Sequence, residues 1–564
     1  MIRKNVLIAA TFFAAILFTI SSFAQPPGPG FNRKQTYDAQ HYKIESSFDR
    51  PKHEVYADTT VTLKPLAANF TTVDFDAVGL SFTKVTLEPS GANLKYTSAE
   101  DKVTVTLDRA YGPSDTISIR LISTARPKKG VYFVDPLVEG GAEQRSPQIW
   151  TQGEPDEARH WFPSFDFPSD KATTEQIITT EKENTVIANG ELLSKNENAN
   201  GTVTWHYKMP VPHSVYLLSF VIGKYIKVED KYKDIPLGFY IYPGREQLAT
   251  KAYGTTKDMI QVFENLTGVN FPYNKYDQTT VSSFQFGGME NITATTMADT
   301  EIAMANVDFL RPAVDDLVSH ELAHSWFGNL VTCRNWAELW LNEGFATFME
   351  AAYREKKYNR ANYIQKVNED AEQFMTEDAT VKNNHGLYNL HAGNVATLFD
   401  RSGVTYNKGG AVIHTLREQV GDETFWKAIN LYLNRHKFEN VESTDLLAAM
   451  EETSKQELDW FFKQWVYGIG YPKLSVTPVW SPAKKTLTLT VNQTQPSAGL
   501  NTAAYRLPMS VEFRSGNTEP EKRDIVITKR VETFTYKLPR KPTSIAIDKD
   551  SRIPIKTVKV TPIR

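Results

Sequence analysis

The chain has 564 residues, of which 41% are apolar and 12% aromatic, and a formal net charge of −3. That apolar content belongs to a globular protein rather than a disordered one, and a chain this long divides into roughly three or four units of about 150 residues. No basic block accompanies the slight acidity, which argues against nucleic acid as a partner.

The first residues carry a targeting pattern. Arg3 and Lys4 precede a 15-residue apolar run from Val6 to Ile20, and Ser22-Phe23-Ala24 fits a small-x-small cleavage site. The run falls short of the roughly 20 residues that span a bilayer. Residues 1–24 therefore read as a signal peptide and the protein as exported, periplasmic or secreted, with no membrane span after its removal. The single cysteine, Cys333, allows no intrachain disulfide, which in an exported chain suits a bacterial compartment. Cys333 itself reads as a small buried core residue rather than a ligand or nucleophile.

Residues 25–35 are rich in Pro and Gly and form a leader. From 36 to 222 strand patterns dominate: Val55, Ala57, Thr59, Val61 and Leu63 alternate with more polar neighbours, as do Val103, Val105 and Leu107 and then Ile117, Ile119 and Leu121. This predicts a β-rich unit of sandwich type. From 223 to 471 the period changes. Met259, Val262, Phe263 and Leu266 give Thr255–Leu266 a helical spacing, and further helical patterns include Ala351–Tyr363, Gly410–Val420 and Ser443–Glu451. One strand-like segment, Thr279–Phe286, precedes Gly287-Gly288-Met289-Glu290-Asn291. After Tyr471-Pro472 the alternation returns (Leu487, Leu489, Val491; Ile525, Ile527; Phe534, Tyr536, Leu538; Ile545, Ile547), which predicts a β-sandwich over 472–564.

Most of the chemistry lies in His320-Glu321-Leu322-Ala323-His324, with Glu343 following after 18 intervening residues. Two histidines four apart on a helix share one face, and both imidazoles can reach one ion at about 2.0–2.1 Å. Glu321 points the same way without binding. Glu343, opening a second helical stretch, is the natural third ligand. Three protein ligands leave a fourth position to water, the arrangement of a catalytic Zn²⁺ site with one ion per chain. Pro312 suits the start of the motif helix.

Together with that motif, Gly287–Asn291 (GGMEN), His320–Leu330 (HELAHSWFGNL), Trp340–Glu350 (WLNEGFATFME), Tyr406-Asn407-Lys408-Gly409-Gly410, and Thr151–Glu154 with Ala158-Arg159 and Phe162–Pro168 resemble the M1 family of zinc aminopeptidases, gluzincins similar to aminopeptidase N and leukotriene A4 hydrolase. The similarity runs over roughly 36–564. It implies a multidomain α+β fold with an N-terminal β-saddle, a thermolysin-like and mostly helical zinc catalytic domain, and a C-terminal β-sandwich. Many members carry a further helical domain that closes over the active site. This sequence stops short of one, so the expectation is a short three-domain form. The family's P-C-F-D-E-P stretch reads Pro163-Ser164-Phe165-Asp166-Phe167-Pro168 here, so any role of that Glu is lost.

The implied roles are specific. His320, His324 and Glu343 hold zinc, and Glu321 is the general base for a water nucleophile. On the residues alone Tyr406 reads as part of a Lys-Gly turn; the resemblance makes it the donor that stabilises the oxyanion. Glu290 and Glu154 are expected to bind the substrate's α-ammonium group, and Gly287, Gly288, Met289 and Asn291 to form the substrate-binding segment around Glu290. The two glycines let an extended peptide approach the backbone. Glu350 reads either as a residue orienting a ligand histidine or as a plain surface charge. His160, His213, His391 and His414 have no ligand spacing and read as packing or surface residues. The expected substrates are peptides with a free N-terminal amine. A zinc endopeptidase on the same scaffold and a non-catalytic binding protein are the alternatives.

Overall fold

The computed structural model describes residues 31–139, 142–378, 385–516 and 519–564. The predicted signal peptide, residues 1–24, and most of the Pro/Gly-rich leader lie outside the described residues.

The described chain is α+β, with a β-rich N-terminal part, a helical middle and a C-terminal β region. The N-terminal part is built on an eight-stranded sheet in which Tyr37–Asp49 pairs antiparallel with Glu54–Pro65 and parallel with Ala172–Glu181. Along Glu54–Pro65 the predicted set Val55, Ala57, Thr59, Val61 and Leu63 is buried and the intervening residues are not, as a sheet with one covered face requires. The covering layer includes Phe70–Asp76 and Lys102–Tyr111, whose Val73, Phe75, Val103 and Val105 are fully buried in the same core. A four-stranded sheet completes this part, and one of its strands, Gln148–Thr151, leads into Glu154.

The middle region begins with strands, which the sequence reading largely missed. Ile226–Tyr232, Ile235–Ile241, Tyr276–Val281, Ala294–Ala298 and Gly288–Met289 form one five-stranded sheet. Only the third overlaps the predicted strand segment. Tyr276–Val281 is buried throughout, so it has no alternation to read. Gly288–Met289 pairs antiparallel with Met297 and Thr296 and closes the sheet as its edge strand.

The helices of this region include Thr256–Thr267, Arg311–Ala323, Trp340–Lys357, Arg360–Asp378, Gly409–Val420, Asp422–Arg435 and Ser443–Ser454. The predicted helix Ala351–Tyr363 is a correction. The chain leaves helical geometry at Tyr358 (φ −117°, ψ −85°), so that stretch belongs to two helices and not one. Apolar spacing continues across the break because both helices bury their faces in the same core.

The C-terminal strands form a four-stranded sheet containing Lys473–Ser481 and Thr486–Gln493 and a three-stranded sheet containing Leu507–Arg514 and Glu521–Ile527. Their inward residues, among them Leu487, Leu489, Val491, Met509 and Val511, join the core of the helical region. Among the described residues no helix is long and apolar enough to cross a membrane.

Candidate functional site

The helix Arg311–Ala323 supplies the first half of the site. Pro312 stands in its first turn, where a missing N–H removes no helical bond. Val314, Val318 and Leu322 bury its apolar face. His320 and Glu321 occupy the last turn, and His324 ends the helix in αR backbone (φ −58°, ψ −21°). The two imidazoles therefore sit one turn apart, with ring centroids 4.9 Å from each other.

Glu343 enters from the first turn of Trp340–Lys357. Its Oε2 lies 3.2 Å from His320 Nε2 and 3.4 Å from His324 Nε2. The opposite ring nitrogens are engaged: His320 Nδ1 is 2.8 Å from Glu350 Oε1, and His324 Nδ1 is 2.8 Å from the Phe327 carbonyl. Each ring thus donates from Nδ1 and turns Nε2 toward Glu343, the second-sphere arrangement that orients histidine ligands. Donors around a tetrahedral ion with bonds of about 2.0–2.1 Å stand about 3.3–3.4 Å apart. The two Glu343 distances lie close to that spacing, so the trio fits a divalent metal.

A cavity of about 600 Å³ opens on the trio. Gln152, Glu154, Gly287, Gly288, Met289, Glu290, Glu321, Glu350 and Tyr406 line it as well. Gly288 is forced by space, because any β-carbon there would collide with the Glu321 carboxyl. Met289 accepts a contact from Gln152 Nε2 at 3.2 Å. The backbone carbonyl of Glu290 accepts from Asn329 Nδ2 at 2.9 Å, which ties the segment to the loop beyond His324. Asn291 does not line the cavity. Its amide donates to Thr296 Oγ1 at 3.1 Å and braces the sheet instead.

Glu154 and Glu290 are buried, and Oε1 of each has no hydrogen-bond partner. Uncompensated carboxylates in such surroundings are costly. Burial pushes Glu154 up, and Glu290, Glu343 and Glu321 add to the shift. Burial also pushes Glu290 up, against the pull of His324, and it takes Glu321 to about 8 against the pull of His320 and His324. For Glu343 burial is outweighed by His324 and His320, which hold it down at about 2. Burial works against a charge on His324, yet Glu290 and Glu343 raise it to about 9. Four carboxylates thus face two imidazoles across a few ångströms, an arrangement that calls for added cations.

Tyr406 lies in a π-helical turn, Val404–Lys408, just before Gly409–Val420. Its ring stacks on His320 with centroids 5.9 Å apart and planes 14° apart. Burial, with Glu343 and Glu154 adding, keeps the phenol protonated, so it faces the cavity as a donor. Glu350 is no surface charge: one carboxylate oxygen meets His320 and the other meets Lys366 Nζ at 2.8 Å. Cys333 is fully buried, and His414 packs between Tyr363 and the Ser551 carbonyl away from the site.

Sequence reasoning missed Lys366, Asp370, Phe286 and Phe399. A Lys and an Asp four apart on a helix look like an exposed ion pair, and lone phenylalanines carry no motif. Phe286 and Phe399 approach each other to 6.1 Å and line both this cavity and an adjoining one of about 560 Å³.

Residues 251–465 match the Peptidase family M1 domain, and residues 38–217 match the Peptidase M1 N-terminal domain. The chain is 30% identical over 396 residues to glutamyl aminopeptidase of Bos taurus, which is 68% of this chain and 40% of that protein. It is 30% identical over 367 residues to glutamyl aminopeptidase of Homo sapiens (62% and 37%), and 32% identical over 349 residues to aminopeptidase N of Streptomyces lividans (60% and 39%). The chain thus spans about two fifths of the length of the curated relatives it matches. With both domains matched in order around the histidine and glutamate cluster, the chain belongs to peptidase family M1.

Proposed function

We propose that this protein is an exported zinc aminopeptidase that removes N-terminal residues from peptides. The observation that carries the proposal is the pair of buried, unpartnered carboxylates, Glu154 and Glu290, beside the trio His320, His324 and Glu343. A free α-amine is cationic near neutral pH and would answer that charge from one side while a divalent metal answers it from the other. Relatives named as aminopeptidases support the reading. The two N-terminal β layers would then be the saddle, residues 223–471 the catalytic domain, and the two C-terminal sheets a sandwich over 472–564, with residues 1–24 removed on export.

His320, His324 and Glu343 would hold the zinc, and a nitrogen and oxygen donor set suits that ion. Zinc supplies a Lewis acid that polarises the scissile carbonyl and acidifies water. Glu290 and Glu154 hold the substrate ammonium and so fix which peptide bond reaches the reacting position. Gly288, on the sheet edge, lets the peptide backbone lie alongside as an added strand. Glu321 takes the proton of the attacking water and delivers it to the leaving amine. The Tyr406 hydroxyl donates to the oxygen that becomes negative in the tetrahedral transition state.

The test is a panel of aminoacyl substrates in free and N-acetylated form, each with and without a chelator. Hydrolysis confined to the free forms and abolished by the chelator is expected. Equal cleavage of blocked peptides would replace the reading with an endopeptidase, and activity indifferent to chelation would remove the zinc.

A further inference from the structure

The ring of contacts behind the site closes on itself. His320 meets Glu350 at 2.8 Å, and the second oxygen of Glu350 meets Lys366 Nζ at 2.8 Å. Lys366 Nζ is also 2.8 Å from Asp370 Oδ1, and that oxygen accepts from Asn407 Nδ2 at 2.9 Å. Asn407 follows Tyr406, whose ring stacks on His320. The helix Arg360–Asp378 therefore grips both faces of the site through one ion pair, with Lys366 and Asp370 8% and 5% exposed.

We infer that Lys366 and Asp370 are positioning residues: Lys366 holds Glu350 Oε2, so that Oε1 stays aimed at His320 Nδ1 and sets the ring, and Asp370 fixes the π turn that aims Tyr406. The chemistry favours this over a purely structural ion pair. A buried pair alone is poor evidence of stabilisation, and an apolar pair would fill the same space. What an apolar pair could not do is hold Glu350 in the orientation that keeps His320 Nδ1 as a donor and Nε2 turned to Glu343. Outer partners of a ligand histidine commonly govern metal affinity by 10–100-fold. The inference rests on the zinc reading above.

The experiment measures zinc affinity of the full chain by competition with a chromophoric chelator, alongside thermal unfolding of the metal-free protein. Lys366→Met is expected to weaken zinc roughly 10–100-fold, with Lys366→Arg restoring most of the loss. Asp370→Asn should lower kcat with KM unchanged, because it loosens the Tyr406 turn rather than the ammonium site. If Lys366→Met fails to fold, Lys366→Gln, which can still donate to Glu350, replaces it with a smaller expected weakening. Lower thermal stability with wild-type zinc affinity in the Lys366 variants would overturn the inference. Unmodified protein that binds no zinc would overturn the proposed function instead.

Discussion

A β-carbon added to Gly344 would stand 3.0 Å from the Cα of Gly409. These two glycines are where the helix that carries Glu343 crosses the helix that begins after Tyr406, and their backbones meet without side chains between them. The close crossing brings the Glu343 carboxylate and the Tyr406 phenol to the same cavity. Gly344→Ala should force the helices apart and cost about 1–3 kcal/mol, the range for overpacking a tight interior. Because the turn that carries Tyr406 runs directly into the displaced helix, kcat should fall further than the folded fraction does. Thermal unfolding and steady-state kinetics on one preparation separate the two effects, and wild-type kcat in a destabilised variant would show that the crossing serves stability alone.

Metal and base should separate by substitution. Glu321 makes no part of the His320, His324 and Glu343 trio, so Glu321→Gln should retain about one zinc per chain and lose nearly all turnover. His320→Ala, His324→Ala or Glu343→Ala should lower zinc content itself. Metal analysis with activity assays checks both, and an active Glu321→Gln variant would remove the assigned base.

The proposed role of the Tyr406 phenol is in the transition state. Tyr406→Phe should reduce kcat by roughly 10²–10³ with little change in KM. The stacking on His320 survives in that variant, so the ring's packing is held constant while the hydroxyl is lost. A loss confined to KM would make Tyr406 a binding group.

What was legible in the sequence was whatever local spacing encodes. The i, i+4 histidines and the alternating strand Glu54–Pro65 follow from backbone periods, whereas the close approach of the Gly288 backbone to the Glu321 side chain emerges only in the fold. The five-stranded sheet of the middle region was not legible, since strands such as Tyr276–Val281 are buried on both faces and resemble any short apolar run. The Lys366 and Asp370 pair was not legible either. Its burial depends on which face Arg360–Asp378 turns inward, and two opposite charges at helical spacing look the same on a wet surface.

His414 offers a pH test far from the metal. Its Nδ1 accepts from the Tyr363 hydroxyl at 2.7 Å and its Nε2 donates to the Ser551 carbonyl at 2.8 Å, so the neutral ring is fully satisfied. Burial lowers its pKa to about 3, with Arg360, Arg417 and Lys556 adding to the shift against the Ser551 bond. The folded pKa is below the unfolded one of about 6.5. As pH falls through 6.5 the unfolded chain takes up the proton and the folded chain does not, so stability present at neutral pH is lost toward pH 3. Relative to His414→Gln, the unmodified protein should lose about 2–3 kcal/mol between pH 7 and 4.5. Denaturant titrations at the two pH values measure it, and parallel curves would mean His414 is not held neutral.

The proposed aminopeptidase activity requires a group that recognises a free N-terminal amine. Glu290 and Glu154 present unpartnered oxygens inside the cavity, and a substrate ammonium would pair with them out of bulk water. A charge-assisted contact there is worth more than an exposed ion pair, so Glu290→Ala should cost several kcal/mol in kcat/KM on free substrates, or about 10²–10³-fold. Acetylating the substrate removes the cation and leaves the carboxylates facing a neutral amide, so the unmodified enzyme should cut blocked substrates poorly. For those substrates Glu290→Ala should do little harm, because the contact it deletes is already missing. Measuring both substrate forms on both proteins makes a double-mutant cycle whose coupling isolates the ammonium contact. Glu154→Ala in the same cycle should couple in the same sense, because its carboxylate faces the same charge from the N-terminal part of the chain. Equal losses on free and blocked substrates would place Glu290 in the general architecture of the cleft and leave the preference for a free amine to some other group.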